Sequence, residues 1–429
     1  MKELVNEKLY ISRKMKTIIS FCVFLLLSFA LAAVETPVLV GVDVLLKGSS
    51  VSYLRGRRIG LITNHTAVNS SMELTLDLLK AKANLYNFTL TAIFAPEHGL
   101  TGSDHAMENV GNSQTIDNIP VYGLFGKLQR PTKEMLEKVD LLIYDIQDIG
   151  SRSYTYATTL FYVMEEAAKL RIPVMVLDRP NPINGVVVDG PMLDDKWRSI
   201  VGYINVPYCH GMTIGELANF FNREYNVGCD LTVIPMENWN RKMNFSDTGL
   251  MWVPTSPNIP EPTSPLYYPM TGILGELSIV SIGVGYTLPF KVVGAPWING
   301  ELFAKALNGQ NFPGVHFQPF YFKPFHGKFV REECQGVLIV VSDPLIYEPV
   351  STQYLLIGVL KSLYPLKFQK ALEASSGRKE MFCKVNGNDE IYRLISDEKN
   401  IVWKLRGFQQ QERKKFMLKR RKYLLYKMD

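Results

Sequence analysis

The stretch AIFAPEHGL, residues 92–100, holds an apolar run long enough for a buried strand that breaks off at Pro96. The next two side chains, Glu97 and His98, are ionisable, and Gly99 follows them as a turn residue. A strand that ends in bulk water tolerates any polar residue there, whereas one that ends in a cleft presents chemistry. Three other runs share the construction. RRIGLIT (57–63) leads into Asn64 and His65, VDLLIYD (139–145) reaches Asp145 and runs on to Gln147 and Asp148, and PVMVLD (173–178) ends on Asp178, followed by Arg179 and Asn181. Each is apolar at nearly every position rather than at alternate ones, the pattern of a strand covered on both faces by helices.

Between these runs lie segments of helical period. SMELTLDLLKAKANLY (71–86) reads as a helix with Leu74, Leu78 and Leu85 inward, and PTKEMLEKV and YATTLFYVMEEAAKL supply two more. The alternation gives an α/β fold with a Rossmann-like, mostly parallel sheet over residues 36–245. Residues 253–269, VPTSPNIPEPTSPLYYP, hold six prolines and read as a stiff extended stretch, part of a Pro-rich connection over 246–270 that lines the cleft. A smaller α+β domain is expected over 271–429, with the strand QGVLIVVS (335–342), the helix STQYLLIGVLKSLYP and a basic closing helix packed on its Phe416 and Tyr423 side. Thr213 and Glu216 form a T-x-x-E capping box at the head of TIGELANFFNREY, which makes Glu216 structural.

The chain has 429 residues, 47% of them apolar, enough for a large core and two domains. Met15 to Ala32, a lysine-flanked apolar run closing on small residues, has the layout of a secretory signal peptide, so residues 1–32 are expected to be removed and the protein exported to the periplasm or beyond. Taking away its five Lys/Arg and two Asp/Glu from totals of 47 and 41 leaves the mature chain nearly balanced, with no basic footprint for nucleic acid and no remaining membrane span. Cys209, Cys229, Cys334 and Cys383 lack CxxC spacing, which is unlike a metal knuckle and leaves zero to two disulfides open.

In an open parallel sheet, ligands bind outside the carboxyl ends of the strands, so four polar strand ends on one edge point to a site. There is no GxGxxG after the first strand, no phosphate loop, no HExxH helix and no GxSxG elbow. What remains is carboxylates, histidines, arginine and tyrosine, including Arg152 and Tyr154 in SRSYTY and His210 in CHGMT. That set suits glycoside hydrolysis, where one carboxylic acid protonates the leaving oxygen and an aromatic ring supports the sugar. A metal site of Asp and His is the other chemistry such residues offer.

The strings GLITNHTAV, FAPEHGLTG, YDIQDIGSRSYTYATTL, LDRPNPINGVVVDGP, HGMTIGELA, WVPTSPNIP, GAPWI and RRKYLLY, in this order over nearly the whole mature chain, resemble the NamZ-type exo-β-N-acetylmuramidases of the bacterial cell wall. The resemblance implies two domains with the site in the cleft between them, no cofactor or metal, and release of terminal N-acetylmuramic acid from the non-reducing end of peptidoglycan fragments such as MurNAc-GlcNAc. It places the catalytic acid on Glu97 and the D-I-Q-D and D-R-P-N residues in the same pocket, where Asp145 or Asp148 is expected to stabilise the oxocarbenium-like charge or position water, and His98 and Gln147 to orient the sugar. Asn64, His65, Arg152, Tyr154, Asp178, Arg179, Asn181, His210 and Glu276 complete the expected substrate contacts. Many relatives carry F-E-G-T-N-x-S-E-G-R-G-T where this chain reads LGELSIVSIGVGYT, so Glu276 keeps the first glutamate while Ile282 and Val284 replace the second glutamate and the arginine. The lactyl carboxylate of N-acetylmuramic acid then needs another cation, with Arg152, Arg179 and Lys291 as candidates. The alternatives are a binding protein without turnover and a glycosidase for a different amino sugar.

Overall fold

Four strands form where the continuous apolar runs lie: β1 (Arg58–Thr63), β2 (Thr89–Ala95), β5 (Leu141–Asp145) and β6 (Val174–Leu177), with β3 (Gln114–Ile116), β4 (Ile119–Gly123) and β7 (Leu231–Ile234) completing a seven-stranded sheet. The computed structural model describes residues 37–103 and 114–428. The expected signal segment lies outside the described residues. From Val38 onward the chain packs as one compact unit.

The sheet order is β3-β4-β2-β1-β5-β6-β7, with every pairing parallel except that of β3 with β4. Counting parallel strands alone, this is third-second-first-fourth-fifth-sixth, the doubly wound order whose direction reverses between β1 and β5. The run LLIYD shows why the strands look uniformly apolar. Leu142 and Tyr144 enter one core with the helix at Thr155–Leu170, while Leu141 and Ile143 enter the other with Leu79.

Helix α1 (Thr75–Tyr86) turns a different face inward from the expected one. Leu74 stands outside it as the N-cap residue and is exposed, as is Leu85, while Thr75 and Leu79 are buried one turn apart. Helix α2 (Thr155–Leu170) and helix α3 (Ile214–Glu224) cover one face of the sheet. The capping box forms, with Thr213 Oγ1 accepting from the Glu216 amide and the Thr213 amide donating to Glu216 Oε2. Glu216 is fully buried against an equally buried Arg241.

The Pro-rich segment corrects the expectation of an extended stretch to residue 269. Residues 249–263 contain no helix or strand, but α4 (Ser264–Leu277) begins inside the proline run. Pro265 is tolerated because the first amides of a helix have no internal acceptor, and Pro269 breaks only one bond of the ladder. A small antiparallel sheet follows, β8 (Val292–Ala295), β9 (Val315–Phe322) and β10 (Cys334–Val341) in the order β8-β10-β9. The apolar helix α5 (Pro349–Leu363) packs on α4, and α6 (Lys379–Asn386) packs on α4 as well. The closing helix α7 (Gln410–Arg420) buries Phe416 against Phe220, and Tyr423 meets the same ring, as its sequence pattern indicates. Among the described residues Cys209, Cys229, Cys334 and Cys383 are buried and form no disulfide. Among the described residues no helix is long and apolar enough to cross a membrane.

Candidate active site

The loop after β2 is a tight turn. The Gly99 amide donates to the Pro96 carbonyl at 3.1 Å, and His98, the third residue, has φ +69°. A left-handed residue is what a turn of this kind demands at that place, and a non-glycine there is a strained position that the surrounding packing must hold. The turn aims Glu97 across the carboxyl end of the sheet to the head of α2, where Thr155 Oγ1 donates to Glu97 Oε2 at 2.6 Å.

Glu97 and His98 face a cavity of about 770 Å³, within the range of small-ligand sites. One wall comes from the sheet edge, with Glu97, His98, Ser153, Tyr154 and Thr155. The Pro-rich segment forms another through Ser256, Pro257, Asn258 and Ile259, and Tyr268 of α4 stands beside it. The far wall is Glu276, Ile282, Val284 and Phe290 with Arg378, Met381 and Val385, and Lys328 reaches in from the turn between β9 and β10. Apolar rings set among a few polar groups fit a sugar, which has an apolar face and a polar rim.

The walls are cross-braced by the tyrosines of SRSYTY. Tyr154 Oη donates to Thr255 Oγ1 at 2.9 Å and Tyr156 Oη to the Thr255 carbonyl at 2.7 Å, which ties α2 to the Pro-rich segment. Ser153 Oγ lies 2.7 Å from Tyr208 Oη and 3.1 Å from Tyr268 Oη. Burial pushes the Tyr268 phenol up to about 12, so it stays a neutral hydrogen-bonding group. Tyr268 and Phe290 meet edge to face, 5.0 Å between ring centres.

Most of the remaining residues expected in the pocket lie behind it. Asp145 is fully buried, and Arg179 and Thr75 take up both of its oxygens, so it makes no part of the cavity wall. Asp148 is buried near the head of α2, accepting from the Gly150 amide at 2.7 Å. Burial raises its carboxyl to about 7, against the opposing amides of Gly150, Ile149 and Ala157. Neither carboxylate lines this cavity. Asp178 anchors α3 through Thr213 Oγ1 and the Gly215 amide, and burial lifts it to about 6.

The neutral and cationic candidates are also internal braces. Asn64 binds Thr66, Gln147 binds the carbonyls of Asp148 and Pro180, and Asn181 binds the Met212 carbonyl and the Ile183 amide. At the carboxyl ends of the strands, where doubly wound folds open a crevice, Gln147 and Arg179 line one small pocket and Asp148, Arg179, Asn181 and His210 another. His65 holds the Pro-rich segment by a 2.7 Å contact to the Pro254 carbonyl, and burial lowers its pKa. His210 accepts from the Met212 amide and is held neutral by burial, down to about 3. Arg152 spends its guanidinium on the carbonyls of Pro191, Val206 and Asn386. Of the expected residues, Glu97, His98, Tyr154 and Glu276 line the cavity.

Glu276, expected as a binding residue, is thus the second carboxylate of the site. Arg378 holds it, with Nη2 donating to Oε2 and Nε to the Glu276 carbonyl, each at 2.9 Å. The sequence reading missed Thr155, Phe290, Lys328 and Arg378. The paired Tyr267 and Tyr268 are the local signal that the Pro-rich segment walls the site. Nothing local marks Lys328 or Arg378, which reach the cavity from distant parts of the chain. Among the described residues no group of three or more His, Cys, Asp or Glu is placed to hold a metal ion.

Comparison with known proteins agrees with this architecture. The N-terminal domain model of the exo-β-N-acetylmuramidase NamZ family matches residues 59–263 and the C-terminal one residues 266–426. The chain is 41% identical over 397 residues, 92% of both chains, to the peptidoglycan β-N-acetylmuramidase NamZ of Bacillus subtilis. Among solved structures it is similar to a DUF1343 family protein of Bacteroides fragilis, at 39% identity and TM-score 0.83 over 91% of this chain and 99% of that one. A second protein of that family and organism is 28% identical, with TM-score 0.71 over 92% and 100% of the two chains.

Proposed function

Because the chain belongs to the NamZ exo-β-N-acetylmuramidase family and is a glycoside hydrolase, we propose that it releases terminal N-acetylmuramic acid from the non-reducing end of peptidoglycan fragments, with Glu97 as the general acid. The observation that carries this reading is that Glu97 and Glu276 line the same cavity, while Asp145, Asp148 and Asp178 do not line it. Glycosidases of the two-carboxylate kind need one acid to protonate the leaving oxygen and a second carboxylate to act on the opposite side of the sugar.

In this arrangement the Glu97 carboxyl gives its proton to the bridging oxygen, and the Thr155 hydroxyl fixes its rotamer. A fixed rotamer matters because proton transfer requires the acid within hydrogen-bond reach of that oxygen. Glu276 stabilises the positive charge that develops at the anomeric carbon, and Arg378 holds it in place. Tyr268 and Phe290 support the sugar ring. The signal-peptide layout of residues 15–32 supports export, which brings the enzyme to its polymer.

The test is release of N-acetylmuramic acid from a MurNAc-GlcNAc disaccharide by the mature chain, beside Glu97→Gln. Loss of a general acid is expected to lower kcat by about two to four orders of magnitude, with the variant still folded. A folded wild type that releases nothing, or a Glu97→Gln variant as fast as wild type, overturns the reading.

A further inference from the structure

Building on the muramidase reading, we propose that Lys328 is the residue that reads the lactyl carboxylate of N-acetylmuramic acid and so sets the preference for that sugar. N-acetylmuramic acid differs from N-acetylglucosamine by a lactyl ether on O3, which carries a negative charge at neutral pH. Selection for it calls for a cation inside the site, because a charge-assisted hydrogen bond is what separates the two sugars. Val284, in the far wall with Ile282, lines the cavity without a charge.

The three arginines and lysines suggested by sequence do not fill the gap. Arg152 is buried among carbonyl oxygens, Arg179 is committed to Asp145, and Lys291 pairs with Glu261. The cations that do line the cavity are Lys328 and Arg378. Arg378 already neutralises Glu276. Lys328 is exposed, and among the described residues its ammonium makes no ion pair, only a contact 5.0 Å from the centre of the Phe329 ring.

Its position is equally pointed. The turn joining β9 to β10 docks on the segment that lacks the charge, with the Phe325 amide donating to the Gly285 carbonyl at 2.7 Å. A methyl group on Gly327 would lie 3.4 Å from the Val284 carbonyl oxygen. Lys328 therefore follows directly on the residue packed against Val284.

The experiment measures binding of N-acetylmuramic acid and of its methyl ester, which keeps the shape and removes the charge, by calorimetry. Wild type is expected to favour the acid by about tenfold to a hundredfold, the range of one hydrogen bond to a charged group. Lys328→Met is expected to bind acid and ester alike, and Lys328→Arg to restore the preference. Arg378→Gln, which frees Glu276, is expected to weaken both ligands together. A preference that survives Lys328→Met, that is lost at Arg378→Gln instead, or that wild type never shows overturns the assignment. If wild type splits the disaccharide while Lys328→Met keeps its preference, this inference alone fails. If wild type shows the Lys328-dependent preference without splitting the disaccharide, the inference stands and the hydrolase reading fails.

Discussion

Asp145 and Glu97 stand at the ends of β5 and β2, on either side of β1, and have opposite fates. Asp145 is still the last residue of its strand, so its carboxylate points at the head of α1 and meets Arg179 from the next strand. Glu97 is one residue beyond Pro96, in a turn closed by the left-handed His98, and that extra step carries it out to the cavity. Both read alike in sequence as a carboxylate after an apolar run, since the ion pair that consumes Asp145 joins residues 34 apart. Asp148 offers a test of the same distinction. Its carboxyl is raised to about 7 by burial, from an ordinary value of 3.8, so the folded state holds a proton that the unfolded state has released. That proton stabilises the fold fully below about pH 4, and the contribution is lost as pH rises through about 7. Asp148→Asn has no such titration. In urea denaturation between pH 4 and 7, wild type is expected to lose ground to the variant by roughly 1.4 kcal/mol per pH unit. Parallel pH curves for the two proteins would show that Asp148 is charged in the fold.

Elements were legible where burial is symmetric. A strand covered on both faces must be apolar throughout, so β1, β5, β6 and the second half of β2 declare themselves, whereas the half-buried β7 does not. The helix that starts within the proline run was hidden because proline is a breaker only where an amide is needed, and the first turn of α4 needs none. The loops between elements are held as tightly as the elements. Gly150, with φ +80°, sits where an added methyl would lie 2.1 Å from Asn181 Oδ1. Gly150→Ala combines left-handed backbone cost with a clash into a buried brace, so a loss of roughly 2–4 kcal/mol is expected from denaturation curves. A variant as stable as wild type would mean that the Asn181 loop yields freely, and that the braces behind the cavity are soft.

At the scale of the whole molecule, the closing segment packs back on the end of β6 and on α3. The Leu425 amide donates to the buried Glu216 Oε1 at 2.8 Å, and Tyr426 Oη donates to Asp178 at the end of β6. Tyr426 also packs edge to face on Trp239. Ending the chain at Tyr423 removes a donor from each of two buried carboxylates, at about 1–3 kcal/mol apiece, so a marked fall in Tm is expected in a thermal melt. An unchanged Tm would show the closing segment to be an ornament of the fold. The sequence by itself determined the α/β sheet, the edge on which its chemistry gathers, the capping box at Thr213 and the position of Glu97, because these follow from local periodicity and from turn residues adjacent in the chain. Only the tertiary structure decided which strand-end groups face the cavity and which brace it. It alone brought Glu276, Tyr268, Lys328 and Arg378 to Glu97 across intervals of more than a hundred residues. That decision rests on long-range pairing, since a buried charge is stable only where folding supplies its partner, and no local pattern records where that partner comes from.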